Sequence, residues 1–295
     1  MPARKRSFSL WIPRYLNHLK MRNYSVKTID TYGRVLLDFS TYCAEVQGLG
    51  DPAVDTDGYD ITQFLAESSG TRSLSATTMN RYISTLNSFY RFLVGQQVLP
   101  ANPVLGVDRP KIKGRELLYL KHADVVSLLD AIENTRDRLI IRTIYATGVR
   151  VSELCGISVK DIDFQEQTIR IQGKGDKIRT VFIDEETLSE IRSYLGSRKN
   201  GPLFTGHNGS PLSPRTIQHI FRKYAPSGIT PHKIRHSYAS ELYRRSRNLR
   251  VVQENLGHSS IKTTEVYLHT DLEERRRVYQ DHFPLSGNHE SGNAR

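Results

Sequence analysis

Cysteine and long apolar runs are both scarce in this chain. Cys43 and Cys155 are the only two cysteines among 295 residues, and both sit inside apolar helical patterns. That argues against a disulfide framework, excludes a four-cysteine zinc site, and suits a reducing compartment. No stretch approaches the roughly 20 apolar residues that cross a bilayer. The basic N-terminal text "MPARKRSFSLWIPRYL" is interrupted by Pro13 and Arg14 before it reaches signal-peptide length. A soluble, cytoplasmic protein with no membrane partner is therefore expected. The text also lacks a glycine-rich loop ending in Gly-Lys-Ser/Thr and an acidic cluster suited to magnesium, so no cofactor and no metal are expected. Positive charge, by contrast, is plentiful. The chain has 42 Lys and Arg against 31 Asp and Glu, a formal charge of +11. Such a field favours a polyanionic partner, with nucleic acid the leading candidate, and a basic protein merely kept soluble by its charge as the plain alternative.

In "SVKTIDTYGRVLLDFSTYC", residues Ile29, Tyr32, Leu36, Phe39 and Cys43 recur at three- and four-residue spacing after Ser25, a suitable N-cap. "SATTMNRYISTLNSFYRFLV" repeats the signature, with Ser75 as cap and Met79, Ile83, Leu86, Tyr90 and Leu93 as its stripe. Helices are also read over 8–20 and 60–67. Residues 1–103 thus read as an all-helical domain, its aromatic stripes belonging to the core and not to base-stacking platforms. "LPANPVLGVDRPKIKGRE", with three prolines and two glycines, breaks the pattern, and a linker is placed at 104–116. A second domain spans 117–284. It opens with helical text, passes through "TIRIQGKGDKIRTVFID", read as a β-hairpin, and returns to helix from Asp184. The polar tail 285–295 reads as disordered. The fold class is mainly α with a small β-hairpin or sheet in the C-terminal domain.

"TPHKIRHSYASEL" places His232, Arg235 and His236 at i, i+3 and i+4, on one helical face. Two histidines at that spacing suit zinc, but Lys233 stands where a zinc protease carries its glutamate, and Arg235 adds a second cation to the face. A phosphate explains more of the stretch. Thr230 is a good N-cap, Pro231 suits the first helical position, and His232 then lies in a first turn rich in free N–H groups. Arg235 could offer a planar fork to two phosphate oxygens. The alternative is a capped helix carrying solvated cations. Elsewhere, Arg150 follows the Gly148 break, with Glu153 three residues on to orient it or cap a short helix. Lys174 falls at the hairpin tip between two glycines, and His258 follows Gly257, nine residues before Tyr267.

With "ATGVRVSELCGI", "GKGDKIR", "TPHKIRHSYASEL" and "LGHSSIKTTEVY" in that order, the chain resembles the tyrosine recombinase, or phage-integrase type, family, and within it the compact Xer-like members. The resemblance implies the tyrosine-recombinase catalytic fold and a two-domain DNA clamp, with 1–103 as core-binding domain. It implies a catalytic set of Arg150, Lys174, His232, Arg235, His258 and the nucleophile Tyr267, with His236 as structural support of its helix. Attack by Tyr267 would give a 3′-phosphotyrosyl intermediate, the arginines and His258 would hold the phosphate, and Lys174 would protonate the leaving 5′-hydroxyl. Neither metal nor ATP is needed for such a transesterification. The implied partners are double-stranded DNA with a specific recombination site and a homotetramer on two duplexes, the segment after Tyr267 reaching into a neighbour or folding back. A DNA translocase or accessory regulator stays open as a further partner.

One departure from the family pattern is "RRSRNLRVVQ", which replaces a glycine-acid turn and leaves Asn248 to accept a left-handed conformation. The lack of an arm-binding domain of the large phage integrases favours chromosome or plasmid dimer resolution. A mobile-element integrase, a site-independent topoisomerase of type IB kind and a non-catalytic DNA-binding module remain the alternatives.

Overall fold

A computed structural model describes residues 7–45, 55–112, 119–173, 177–206, 208–257 and 279–280. The chain divides into two compact units, Met1–Arg115 and Glu116–Arg295. Each buries its own core.

The N-terminal unit consists of α1 (Phe8–Met21), α2 (Val26–Glu45), α3 (Gly58–Arg72) and α4 (Ala76–Gly95), followed by a 3-10 turn at Pro103–Gly106. Caps set the starts of these helices. Ser75 Oγ accepts from Thr78 N at 3.3 Å, and Asp57 and Asp60 form a reciprocal capping box ahead of α3. The apolar stripes meet in a core rich in aromatic rings, among which Phe8, Phe39, Phe89 and Tyr90 are fully buried. Phe8 meets Phe39 edge-on, with centroids 5.7 Å apart. Such rings bury large apolar areas and are worth about 0.5–1.5 kcal/mol per pair beyond that burial. Part of the stretch read as linker belongs to this unit. Val104 is buried in its core, and Asn80 Nδ2 donates to Pro110 O at 3.0 Å.

The C-terminal unit runs α5 (His122–Asp130), α6 (Thr135–Thr147), α7 (Val151–Gly156), β1 (Ile162–Asp163), β2 (Thr168–Gln172), β3 (Ile178–Phe182), α8 (Glu185–Leu195), α9 (Pro214–Tyr224), α10 (Pro231–Ser246) and α11 (Leu249–Leu256). α6 packs against both α8 and α10, because Ile140, Ile141 and Ile144 cover more than one of its faces with apolar surface. The strands form an antiparallel sheet in the order β1-β2-β3. The short β1 extends the expected hairpin by one strand, pairing Ile162 with Ile169. In β2 and β3, Ile169 opposite Val181 and Ile171 opposite Arg179 point inward.

The turn between α10 and α11 differs from expectation. Arg247, not Asn248, takes the left-handed conformation, with φ 53° and ψ 17°. Asn248 is extended and caps α11, its Oδ1 accepting from Arg250 N and Val251 N at 3.1 and 3.2 Å. An amide side chain satisfies two otherwise orphaned N–H groups there, which a left-handed Asn248 could not do.

Candidate active site

α6 ends at Gly148, whose φ of +63° is left-handed, and whose N–H donates to Ile144 O. Here glycine is required twice. A Cβ at this position would lie 2.4 Å from the Tyr238 ring of α10, and an L-residue would carry the left-handed penalty as well. Two residues later Arg150 forms the N-cap of α7. Glu153 reaches back to it from the first turn. One carboxylate oxygen accepts the Arg150 N–H and the other its Nη1, both at 2.8 Å. Capping and orienting are therefore done by one buried carboxylate, which leaves the Arg150 side chain partly exposed.

On α10, Thr230 is the N-cap, with Oγ1 accepting from Lys233 N at 3.4 Å, and Pro231 takes the first helical position. This puts His232 in the first turn, exposed, and Arg235 one turn further in, where only 2% of it reaches solvent. The expected phosphate fork is anchored within the protein. Arg235 Nη1 donates to Gly148 O at 2.6 Å and Nη2 to Leu256 O at 2.7 Å. Those carbonyls close α6 and α11, so two negative helix ends converge on one guanidinium. Glu153 adds a carboxylate oxygen at 3.8 Å. A buried cation is tolerable because all these groups face it.

His232 Nε2 lies 3.2 Å from Nε2 of His236, with the rings edge to face. The helical repeat that placed both histidines on one face brings them into direct contact, so one of the two nitrogens must carry the proton and the other accept it. Although the residue reaches solvent, its ring is partly shielded from water, and this desolvation depresses the His232 pKa below its ordinary value; the charges of Arg235 and then Arg150 depress it further. His236 falls to about 4, by burial first and then by His232 and Arg235. Both imidazoles are neutral at pH 7. Arg150 and Arg235, expected from separate sequence positions to share a site, are thus brought together around Glu153, and His232 lies near enough for both of their charges to act on it. Lys174, His258 and Tyr267 lie outside the described residues, as do the segment after Tyr267 up to 278 and the tail 285–295.

One participant escaped the sequence reading. Arg179 of β3 donates Nη1 and Nη2 to the two oxygens of Glu153, each at 2.8 Å, and Nε to Asn255 O at 3.2 Å. Burial pushes the Glu153 carboxyl up, but the hydrogen bonds from Arg179 and Arg150 outweigh it and hold the pKa at about 2. A signal was present. Arg179 is in phase with Val181 and Ile183 in a strand that alternates, and a cation on the inward face of a strand needs a buried partner.

The phage integrase family model matches residues 119–274, and the N-terminal SAM-like domain model of the phage integrases matches residues 12–97. The chain belongs to the phage integrase family. The tyrosine recombinase XerC of Thermodesulfovibrio yellowstonii is 33% identical to it over 298 aligned residues, covering 94% of this chain and 97% of that protein. Among solved structures, the XerH site-specific recombinase in a pre-cleavage complex with its difH substrate is 27% identical with a TM-score of 0.66, covering 88% of this chain and 80% of XerH. The Tn1549 transposon integrase bound to a circular-intermediate DNA shares the fold, with a TM-score of 0.75 at 20% identity over 94% of this chain and 99% of its own. This recombinase is a site-specific enzyme that breaks and rejoins DNA. Among its described residues no helix is long and apolar enough to cross a membrane.

Proposed function

We propose that Arg150, Lys174, His232, Arg235, His258 and Tyr267 form the catalytic set, and that the reaction is a transesterification independent of metal and ATP. The observation that carries this reading is the meeting of Arg150 and Arg235 at one buried carboxylate, with His232 within reach of both of their charges. The phenolic oxygen of Tyr267 attacks the scissile phosphorus while a neutral imidazole, His232, accepts its proton. Charge that builds on the non-bridging oxygens is met by Arg150, by the fixed charge of Arg235 and by a hydrogen bond from His258. The P–O5′ bond breaks, Lys174 gives its proton to the departing oxygen, and a 3′-phosphotyrosyl ester and a free 5′-hydroxyl remain. Reversal with the 5′-hydroxyl of a second strand exchanges the partners and conserves the bond energy, so no ATP is required.

The helical unit and the catalytic unit both contact DNA phosphates, with salt-dependent affinity. Four protomers on two duplexes, in the cytoplasm, resolve chromosome or plasmid dimers in this reading, with a translocase or accessory protein as regulator. Support comes from the Xer names of the relatives and from the DNA-bound state of XerH. The test uses DNA recovered and sequenced from covalent complexes trapped in cells, rebuilt as a nicked duplex. Wild type should form a protein–DNA adduct in chelator without ATP, and Tyr267→Phe should form none. An adduct that survives Tyr267→Phe, or that needs a divalent ion, would overturn the assignment. Supercoil relaxation without that site would indicate a topoisomerase instead.

A further inference from the structure

Arg179 touches Glu153, which orients Arg150, and lies against the described residues that precede Lys174 and His258 in the chain. Its guanidinium uses three edges at once, two on Glu153 and one on Asn255 O. Asn255 lies in the last turn of α11, three residues before His258. The side chain also lies against Gly257, where a Cβ would meet Cδ, Nε and Cζ of Arg179 at 2.9–3.2 Å. On its other flank is Gly173, the residue before Lys174. A Cβ there would stand 3.7 Å from Arg179 Nη1 and 3.9 Å from Glu153 Oε1. The neighbouring carbonyl of α11, Leu256 O, is held by Arg235. Two arginines thus fix consecutive carbonyls at the end of α11, and both face the carboxylate that orients Arg150.

We propose that Arg179 is a positioning residue for DNA cleavage. Through Glu153 it sets the direction of Arg150, through Asn255 O and Gly257 it fixes the end of α11 that precedes His258 in the chain, and it abuts Gly173, the residue before Lys174. This rests on the catalytic set proposed above. Glu153 is shared between Arg150, which donates one side-chain bond to it, and Arg179, which donates a bidentate pair. Without Arg179 the carboxylate would be released to clasp Arg150 with both oxygens, neutralising the charge that faces the phosphate. The end of α11 would lose one of its two clamps at the same time. Lysine cannot substitute, since a single ammonium cannot span two carboxylate oxygens and a carbonyl in one plane.

The test compares full-length wild type, Arg179→Met and Arg179→Lys on the nicked duplex rebuilt from trapped cellular complexes, measuring duplex affinity, single-turnover adduct rate and the pH profile of that rate. For Arg179→Met, affinity should stay within about threefold while the adduct rate falls by about 100-fold, the scale of a misplacement of about 1 Å at a reacting centre. The rate should begin to fall at a higher pH than in wild type, where His232 sets the acid limb, because a buried Glu153 with fewer donors protonates more readily and its loss of charge releases Arg150. Arg179→Lys should bind normally and cleave at an intermediate rate. Should Arg179→Met fail to fold, Arg179→Lys decides alone. Wild-type adduct rates and an unmoved acid limb in the folded variants would overturn the proposal. A wild-type protein that forms no Tyr267-dependent adduct would instead refute the catalytic set on which it rests.

Discussion

Gly148→Ala is the sharpest perturbation the geometry offers, because the same glycine ends α6, touches Tyr238 and presents the carbonyl that Arg235 uses. Two costs add. Holding alanine at φ +63° costs about 1–2 kcal/mol, and driving a methyl to 2.4 Å from the Tyr238 ring forces an overpacking adjustment of about 1–3 kcal/mol. The expected loss is roughly 2–5 kcal/mol, or roughly 4–20 °C in the melting of a unit of this size. Trp11, the chain's one tryptophan, lies in the N-terminal unit. Its fluorescence therefore follows that unit, and far-UV dichroism follows both, so the melting of the C-terminal unit can be separated out. A double-mutant cycle divides the two costs. In a Tyr238→Ala background the clash is gone and only the backbone part of about 1–2 kcal/mol should remain. If Gly148→Ala melts within about 1 °C of wild type, or costs the same in both backgrounds, the close approach of Tyr238 is refuted.

Three further outcomes follow from the same cluster. Glu153 has its folded pKa lowered to about 2, so its contribution is present above the unfolded value of 4.5 and is lost as pH falls toward 2. The stability gap between wild type and Glu153→Gln in urea titrations, about 3 kcal/mol at pH 6, should close over that window. Arg235→Ala leaves Gly148 O and Leu256 O without their donor, and should cost about 2–6 kcal/mol by chemical denaturation as well as abolishing adduct formation. A His232 pKa depressed below its ordinary 6.5 means the base is neutral at pH 7. Cleavage rates should be flat near neutrality and fall only as pH drops through that lowered value, a limb that disappears in the residual activity of His232→Ala.

Much of the local structure was legible from spacing and caps. Ser75 begins α4, Asp184 begins α8, and Thr230 with Pro231 begins α10, each at the residue whose chemistry suits an N-cap or first turn. Where the reading went astray, two residues competed for one turn. Arg247 adopted the left-handed conformation that Asn248 could have taken, because the Asn248 side chain has more to gain as a cap. The strand β1 was missed because two residues are too few to show a period of two.

The sequence by itself determined which chemistry-bearing side chains the chain carries, where its helices begin, and that Arg150 and Glu153 lie one helical turn apart. Tertiary structure alone decided what those side chains are fastened to. Arg235 is held by a carbonyl 87 residues away and another 21 residues away, and Arg179 by the carbonyl of Asn255 and the two oxygens of Glu153. The physical reason is that every residue carries the same backbone carbonyl, so an acceptor of this kind leaves no mark in the text. Only the packing of α6, α10 and α11 around one buried carboxylate selects Gly148, Asn255 and Leu256 from all the others.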